Sequence, residues 1–358
     1  MLTKQHQLIA EDLARIYPRI SEKLDGIYGK TVLVTGGAGF MGSWLAELVS
    51  YLNREEKASI KLYLVDSALD LFTERLGHLV HDASIEFIRC DMRSLLEIPR
   101  DVNYVIHAAA TPDGRFHASS PIETMTTIAE GTSSILRASN RVSNLIKFVN
   151  VSSSSVYAAD QHIESITESA RGRTFKPNST SAYSEAKRYA EVLCAAARSE
   201  ARIPIVTVRP FTFCGAYQQL DSPWFLNNFI NDALYQRPIR ILGDGKSVRT
   251  LLYGADLAYW LLVIMLHSKS GQVFNIGSDQ AKYLNELAMC VAVNFSPSPS
   301  IMMNTLLAGA GENTRLVPDI SAVKSSFGLE VYTDVAHAIS RTIDWYQANL
   351  IQTENRLL

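Results

Sequence analysis

Apolar residues along the chain come in short blocks separated by amphipathic stretches. Thr31–Thr35, Lys61–Val65 (ending at Asp66), Ile85–Cys90, Tyr104–His107, Ile146–Val151 and Pro204–Arg209 are apolar nearly throughout. Patterns of helical period lie between them, the first through Trp44–Leu52. Short apolar strands alternating with helices predict an α/β fold, a doubly wound parallel sheet buried on both faces. Ahead of the first strand, residues 3–24 carry Leu8, Ile9, Leu13, Ile16 and Ile20 at near-helical spacing, and Asp25-Gly26 closes the run. This predicts an extra amphipathic helix before the main domain. After Pro210 the texture changes: glycine, proline and aromatic residues cluster through Gly245, and short helical patterns follow at Leu284–Val293, Ser321–Phe327 and Val335–Leu350. The expected division is a helical extension over 1–27, a sheet domain over 28–208 and a smaller C-terminal substrate-binding domain over 209–358, partly interleaved with the sheet domain.

Composition narrows the partners. Of 358 residues, 47% are apolar and 20% charged, an ordinary globular balance. The net charge of -2, with no long run of one sign, gives no bulk attraction for nucleic acid or an anionic membrane. Any anion must therefore be gripped by a few placed arginines. The apolar run Tyr259–Leu266 is too short to span a bilayer, and Lys4, Glu11, Asp12 and Arg15 interrupt the N-terminal stretch, unlike a signal peptide. Cys90, Cys194, Cys214 and Cys290 are scattered without metal-ligand spacing and read as reduced packing thiols. The expectation is a cytoplasmic protein with no bound metal.

Thr35-Gly36-Gly37-Ala38-Gly39-Phe40-Met41-Gly42 follows the first strand and opens a helix. Glycines there let the backbone turn tightly and approach a pyrophosphate at the positive end of the helix, the signature of a Rossmann-type dinucleotide site. Asp66, 24 residues past Gly42, ends the second strand. A carboxylate at that point accepts from the adenosine ribose hydroxyls and repels a 2′-phosphate, which selects NAD over NADP. Asp91, ending the third strand, either meets the adenine amino group or caps a turn.

Tyr183 and Lys187 stand four residues apart, on one face of a predicted helix. A free phenol has a pKa of about 10 and is a poor base at neutral pH. A neighbouring ammonium and the positive nicotinamide both favour the phenolate. With TGGAGFMG (Thr35–Gly42), VIHAAA (Val105–Ala110), VSSSSVY (Val151–Tyr157), RPFTFCG (Arg209–Gly215), GDGKSVRTLLYGADLA (Gly243–Ala258) and FNIGS (Phe274–Ser278), in this order, the chain resembles the extended short-chain dehydrogenase/reductase superfamily, specifically its NAD-dependent sugar-nucleotide epimerases and dehydratases.

The resemblance implies roles by position. Tyr183 would be the acid/base, Lys187 its partner on the nicotinamide ribose, and Ser153 the hydroxyl that meets the reacting sugar hydroxyl. With the glycine loop (Gly36, Gly39, Gly42), Asp66 and Asp91, the cofactor would touch Phe40, Met41, Met92, Ala108, Ala109, Ala110 and Pro210. The substrate, a nucleotide-diphosphate sugar, would meet Thr111, Ser153, Ser154, Thr212 and Asn228, with Arg249 and Arg315 on its diphosphate, a task suited to guanidinium forks. A homodimer through helices, including the one bearing Tyr183, is also implied. Thr212, Cys214, Ala158 and Ile128 depart from the family pattern. Thr111–His117 reads as a solvated loop whose Asp113, Arg115 and His117 stand ready to add acid–base groups.

The shared chemistry of this family is oxidation at sugar C4, after which its reactions diverge. In the dehydratase branch an Asp-Glu pair follows the catalytic serine or threonine, and related decarboxylases usually carry glutamate at the second of those positions. Here they are Ser154 and Ser155, whose hydroxyls cannot do carboxylate work. A C4 epimerase needs neither. The reading is therefore an NAD-dependent sugar-nucleotide C4 epimerase acting through a transient 4-keto sugar. A 4-keto reductase, decarboxylase or 4,6-dehydratase is the alternative within the family. A dinucleotide-binding sensor or scaffold is the alternative of another class, and the presence of both Tyr183 and Lys187 weighs against it.

Overall fold

A computed structural model describes residues 3–157, 163–170, 178–304 and 314–357. In chain order, α1 (Lys4–Ile16), β1 (Thr31–Thr35), α2 (Phe40–Glu55), β2 (Lys61–Asp66), α3 (Leu69–Leu76), β3 (Ile85–Arg89), β4 (Tyr104–His107), α4 (Gly114–Ser119), α5 (Pro121–Ser139), β5 (Lys147–Val151), α6 (Ala182–Glu200) and β6 (Ile205–Pro210) form the first part. β7 (Phe213–Cys214), α7 (Phe225–Leu234), β8 (Ile239–Leu242), β9 (Val248–Arg249), β10 (Leu252–Tyr253), α8 (Gly254–His267), β11 (Val273–Ile276), β12 (Lys282–Tyr283), α9 (Leu284–Ala292), β13 (Ile301–Asn304), α10 (Ser321–Phe327) and α11 (Val335–Leu357) follow.

The central sheet has seven strands in the order β11-β6-β5-β4-β1-β2-β3, and every pairing is parallel. All six strands expected from sequence are in it, and β11 adds a seventh. All five residues of β1 and of β5 are buried, as a strand covered by helices on both faces requires. The winding runs from β1 to β3 on one side, then restarts with β4 on the other flank of β1. The carboxyl ends of β1 and β4 therefore bound the crevice where such sheets take ligands. β11 escapes the sequence alternation because residues 211–272, which include α7, α8 and four short strands, intervene before the chain returns to pair with β6.

The N-terminal helix is shorter than its apolar spacing predicts. It ends at Ile16, and single 3-10 turns carry the chain on from Tyr17. Pro18 accounts for this, since it has no N–H to continue the α-helical ladder, although Tyr17 before it keeps helical angles. Ile9, Leu13, Ile16, Ile20, Leu24 and Ile27 are all buried in the main core, so this segment is a layer of the molecule. Helix α1 packs on α2, α8 and α11. Asp12, buried at that junction, accepts from the Tyr253 hydroxyl (2.7 Å) and pairs with Arg341 Nε (2.9 Å). Helix α8 is apolar on nearly every face because it is enclosed on nearly every face; among the described residues, no helix is long and apolar enough to cross a membrane.

Replacing Asp12 by alanine takes the buried acceptor away from the Tyr253 hydroxyl and the buried ion-pair partner away from Arg341 Nε. The expected loss is about 3 kcal/mol of stability, read as a lower urea midpoint at unchanged m-value.

Candidate active site

The glycine loop is a cradle shaped by close approach. Gly36 has φ +72, and a Cβ there would lie 3.0 Å from the Ala108 carbonyl; one on Gly42 would lie 2.4 Å from the Gly37 oxygen. Gly39 caps α2 without any side-chain hydrogen bond, so the helix presents bare N–H groups at the crevice. Asp66 reaches this loop: its carboxylate accepts from the Ala38 N–H (3.1 Å) and the Ala68 N–H (3.1 Å). Arg75 donates to the Ala38 carbonyl (2.8 Å) and steadies the loop from α3, a contact no local sequence signal announces. Phe40 and Met41, in the first turn of α2, pack partly buried against the core. A Cβ-free pyrophosphate cradle, open helix N–H groups and a carboxylate at the loop suit a dinucleotide.

Behind the loop, Thr35 ties β1 to β4. Its hydroxyl meets His107 Nδ1 (2.8 Å) and accepts from the Ala109 N–H (3.2 Å), while His107 Nε2 meets Thr132 (3.1 Å). Burial, aided by the Lys187 charge, pushes His107 down to about 3, so it is a neutral tether. Ala108, Ala109 and Ala110 follow it at the end of β4, where each packs partly buried in the core. Asp91 caps the turn after β3: it accepts from the Arg93 N–H (2.9 Å) and pairs with the Arg93 guanidinium (2.6 Å), which holds its carboxyl low. Met92 turns into a core cluster with Leu95 and Ile135.

Tyr183 and Lys187 lie one turn apart at the start of α6, where the helix crosses the end of β5. Lys187 is only 5% exposed, and its Nζ donates to the Val151 carbonyl (2.9 Å). Burial lowers its pKa to about 8. The ammonium lies 5.9 Å from the Tyr183 ring centre. Burial raises the Tyr183 pKa, while a hydrogen bond with Ser153 draws it down. Ser153 also accepts from the Ser155 N–H (3.1 Å) at the turn Ser154–Tyr157. The Ser152 and Ser155 hydroxyls are buried without a partner among the described residues. The centre thus offers a phenol, serine hydroxyls and a buried ammonium, a set able to take a proton from an alcohol and return it.

Thr111–His117 is more ordered than a solvated loop. Asp113 caps α4 and pairs with Arg115 (2.7 Å), and the His117 ring stacks on the Tyr183 phenol at 4.2 Å. Thr111 is exposed and its carbonyl meets His117 Nε2 (2.6 Å). Arg209, just before the buried Pro210, is a brace: it pairs with Glu191 (2.7 Å) and donates to the Tyr157 hydroxyl (2.9 Å), which in turn donates to Asn275 on β11 (2.7 Å). Asn275 lies inside the FNIGS match, yet nothing local reveals its partner.

On the substrate side, Val248 bridges to Arg315, which brings Arg249 and Arg315 into one region. Arg249 is half-buried and donates to the carbonyls of Val248 (2.8 Å) and Thr314 (2.9 Å) and to the Thr314 hydroxyl (2.7 Å). Burial alone lowers its pKa. Arg315 donates to the Glu164 carbonyl (2.7 Å). Thr212 is half-buried between β6 and β7, and its carbonyl accepts from the Leu252 N–H (3.0 Å). Asn228 is on the exposed side of α7, whereas Asn227 faces inward to the Gln219 carbonyl (2.9 Å). Two departures from the family pattern are packing choices. Cys214 is buried, which pushes its thiol up to about 12, and Ile128 packs with Ala186 and Ala190 beside Tyr183. Ala158 lies outside the described residues. Among those residues, no group of His, Cys, Asp and Glu is arranged to hold a metal.

The sequence model of the NAD dependent epimerase/dehydratase family matches residues 32–277. UDP-glucuronic acid decarboxylase 1 of Arabidopsis thaliana is 27% identical over 323 residues, covering 90% of this chain and 71% of that protein. UDP-glucuronic acid decarboxylase 3 of the same plant is 30% identical over 301 residues, 84% of each chain. Among solved structures, an epimerase from Methanothermobacter thermautotrophicus superposes with a TM-score of 0.80 at 21% identity, over 95% of this chain and 98% of that one. The UDP-glucuronic acid 4-epimerase of Bacillus cereus, in complex with UDP-glucuronic acid and NAD, gives 0.75 at 24% identity, over 88% and 99%. At these identities the superpositions speak for the fold.

Tyr183→Phe should lower kcat by roughly 100-fold to 10,000-fold and leave dinucleotide affinity, read by calorimetry, unchanged. His107 gives a second expectation. The unfolded chain binds its proton near 6.5 and the folded chain only near 3, so acidification between those values favours unfolding. Stability should fall by about 1.4 kcal/mol per pH unit for this group. Urea midpoints from pH 7 to pH 4 should show a shallower slope in His107→Asn.

Proposed function

The chain belongs to the NAD dependent epimerase/dehydratase family, and on that footing we propose that it interconverts a nucleotide-diphosphate sugar and its C4 epimer through a transient 4-keto sugar. The observation that carries this reading is the composition of the centre: Tyr183, Ser153 and Lys187 converge at the end of β5, while Ser154 and Ser155 occupy the turn where acid–base carboxylates would serve an elimination.

NAD, held at the glycine loop, would supply hydride acceptance and return. Gly36, Gly39 and Gly42 give room for its pyrophosphate, and Asp66 suits its adenosine ribose. Tyr183 takes the C4 hydroxyl proton, Ser153 orients that hydroxyl, and Lys187 offsets the phenolate charge. Arg249 and Arg315 hold the diphosphate, leaving the sugar free to rotate between faces. The names of the curated relatives make UDP-glucuronic acid the first substrate to try. They also favour a second reading, decarboxylation of that sugar, against which the hydroxyl of Ser155 stands.

Dimerisation belongs to the same proposal. Helices α5 and α6 pack together, and Ile122, Met125, Tyr189 and Val192 remain exposed on them. An apolar surface on two adjacent helices fits a second copy of the chain.

The enzyme should convert a UDP-sugar to its C4 epimer in an NMR assay without added reductant and with no net change in NAD. Release of CO₂ or a 4-keto-6-deoxy product would replace the epimerase reading. Light scattering should give a mass twice that of the 39.7 kDa chain, and Val192→Asp should return it to the monomer value.

A further inference from the structure

Three side chains that take no part in the chemistry above meet behind the serine turn. Arg209 closes on Glu191 through Nε (2.9 Å) and Nη2 (2.7 Å). Its Nη1 donates to the Tyr157 hydroxyl (2.9 Å) and to the Glu168 carbonyl (3.0 Å). The Tyr157 hydroxyl donates in turn to Asn275 Oδ1 (2.7 Å). Burial pushes the Tyr157 pKa up to about 12, so the hydroxyl stays a donor. Asn275 is fully buried, and its Nδ2 donates to the carbonyls of Ile166 (2.8 Å) and Asp319 (3.2 Å).

These bonds end on different segments. Glu191 lies one turn past Lys187 on α6, and Tyr157 closes the turn that follows Ser153. Arg188, also on α6, ties the same turn through the Val156 carbonyl (2.7 Å). Ile166 and Asp319 belong to two strips laid side by side, with the Ile166 N–H on the Val317 carbonyl (2.8 Å) and the Asp319 N–H on the Ile166 carbonyl (2.9 Å). The second strip carries Arg315. It also bonds to β9 beside Arg249, through the Val248 N–H on the Thr314 carbonyl (2.9 Å) and the Leu316 N–H on the Val248 carbonyl (3.1 Å). A continuous run of bonds therefore joins the serine turn to both arginines, and the Tyr157 hydroxyl is a joint within it.

We propose that the Arg209–Tyr157–Asn275 junction is a positioning device, which sets the span between Ser153 and Tyr183 at the sugar end and Arg249 and Arg315 at the diphosphate end. Grip on the nucleotide then aligns the sugar for hydride transfer. A misplacement of about 1 Å can cost on the order of 100-fold in rate, and binding energy used for alignment shows in kcat rather than KM. The roles of the two ends rest on the reading proposed above; the mechanical link between them does not.

The test is hydrogen–deuterium exchange of NAD-bound protein with and without UDP, paired with the NADH absorbance of the first turnover of a UDP-sugar. Tyr157→Phe removes one oxygen, leaves the ring packed with Phe211 and Ile166, and leaves the Arg188 tie in place. In the native protein UDP should slow exchange of the 153–157 peptide. In Tyr157→Phe that protection should be lost, while UDP affinity by calorimetry stays unchanged. Hydride transfer should fall about 10-fold to 100-fold at constant KM. Arg209→Lys keeps a charge for Glu191 without the fork and should show the same split. Protection of the turn as strong in Tyr157→Phe as in the native protein would overturn the proposal, as would a KM that rises as far as kcat falls. A protein that binds no UDP has no grip for the junction to serve, which ends the proposal too. Lost protection in an enzyme that forms no C4 epimer upholds the junction and sinks the epimerase reading instead.

Discussion

A positive charge buried at the end of a strand is the constraint around which this centre is arranged. Moving an ammonium out of water costs several kcal/mol even after relaxation, and Lys187 meets only a carbonyl oxygen there. That contact sets α6 against β5 in one register. With Lys187 held at Val151, the residue one helical turn earlier must face the residues just past the strand, which places Tyr183 at Ser153. The depressed basicity of Lys187 records the same cost. A negative phenol nearby would relieve it, so the same charge would favour the phenolate form of Tyr183 on which the proposed chemistry relies.

What sequence could reveal depended on how local the cause was. Strands buried on both faces announce themselves as apolar blocks, and the six so marked are in the sheet within a residue or so of their expected ends. The glycine loop and the Tyr183–Lys187 pair are short-range patterns and were equally legible. β11 was not, because a whole lobe separates it from its neighbour β6. The same distance hides the Arg209–Glu191 brace and the Tyr157–Asn275 bond. His117 is a further case: spacing puts it near the site, but only the fold lays its ring on Tyr183. Asp91 has two plausible uses in the sequence, and its cap and its pair with Arg93 are the one the fold displays.

The fold leaves the reaction open, as expected for an architecture that hosts several chemistries. The proteins this chain resembles include a 4-epimerase and a 4,6-dehydratase of the same fold and decarboxylases of similar sequence. Past β5 this chain has the hydroxyls of Ser154 and Ser155 on a tight turn. A carboxylate there would face a buried serine hydroxyl and the sugar together; a hydroxyl leaves the keto sugar chemically undisturbed. Under the proposed epimerase reading, the lack of carboxylates at Ser154 and Ser155 would matter as much as the phenol of Tyr183.

The layer formed by α1 has a bearing on how the molecule is made. Its inner face closes against α11, where Arg341 bonds to the Leu8 carbonyl (2.6 Å) and Gln5 reaches the Trp345 carbonyl (3.3 Å). Helix α1 is therefore covered in stages, by α2 early in synthesis and by α8 and α11 only later. Contacts of such long sequence separation form late and slowly. A nascent chain whose α11 has yet to form carries part of the Ile9, Leu13 and Ile16 stripe uncovered, and a product that stops short of α11 leaves that part open to chaperones and proteases.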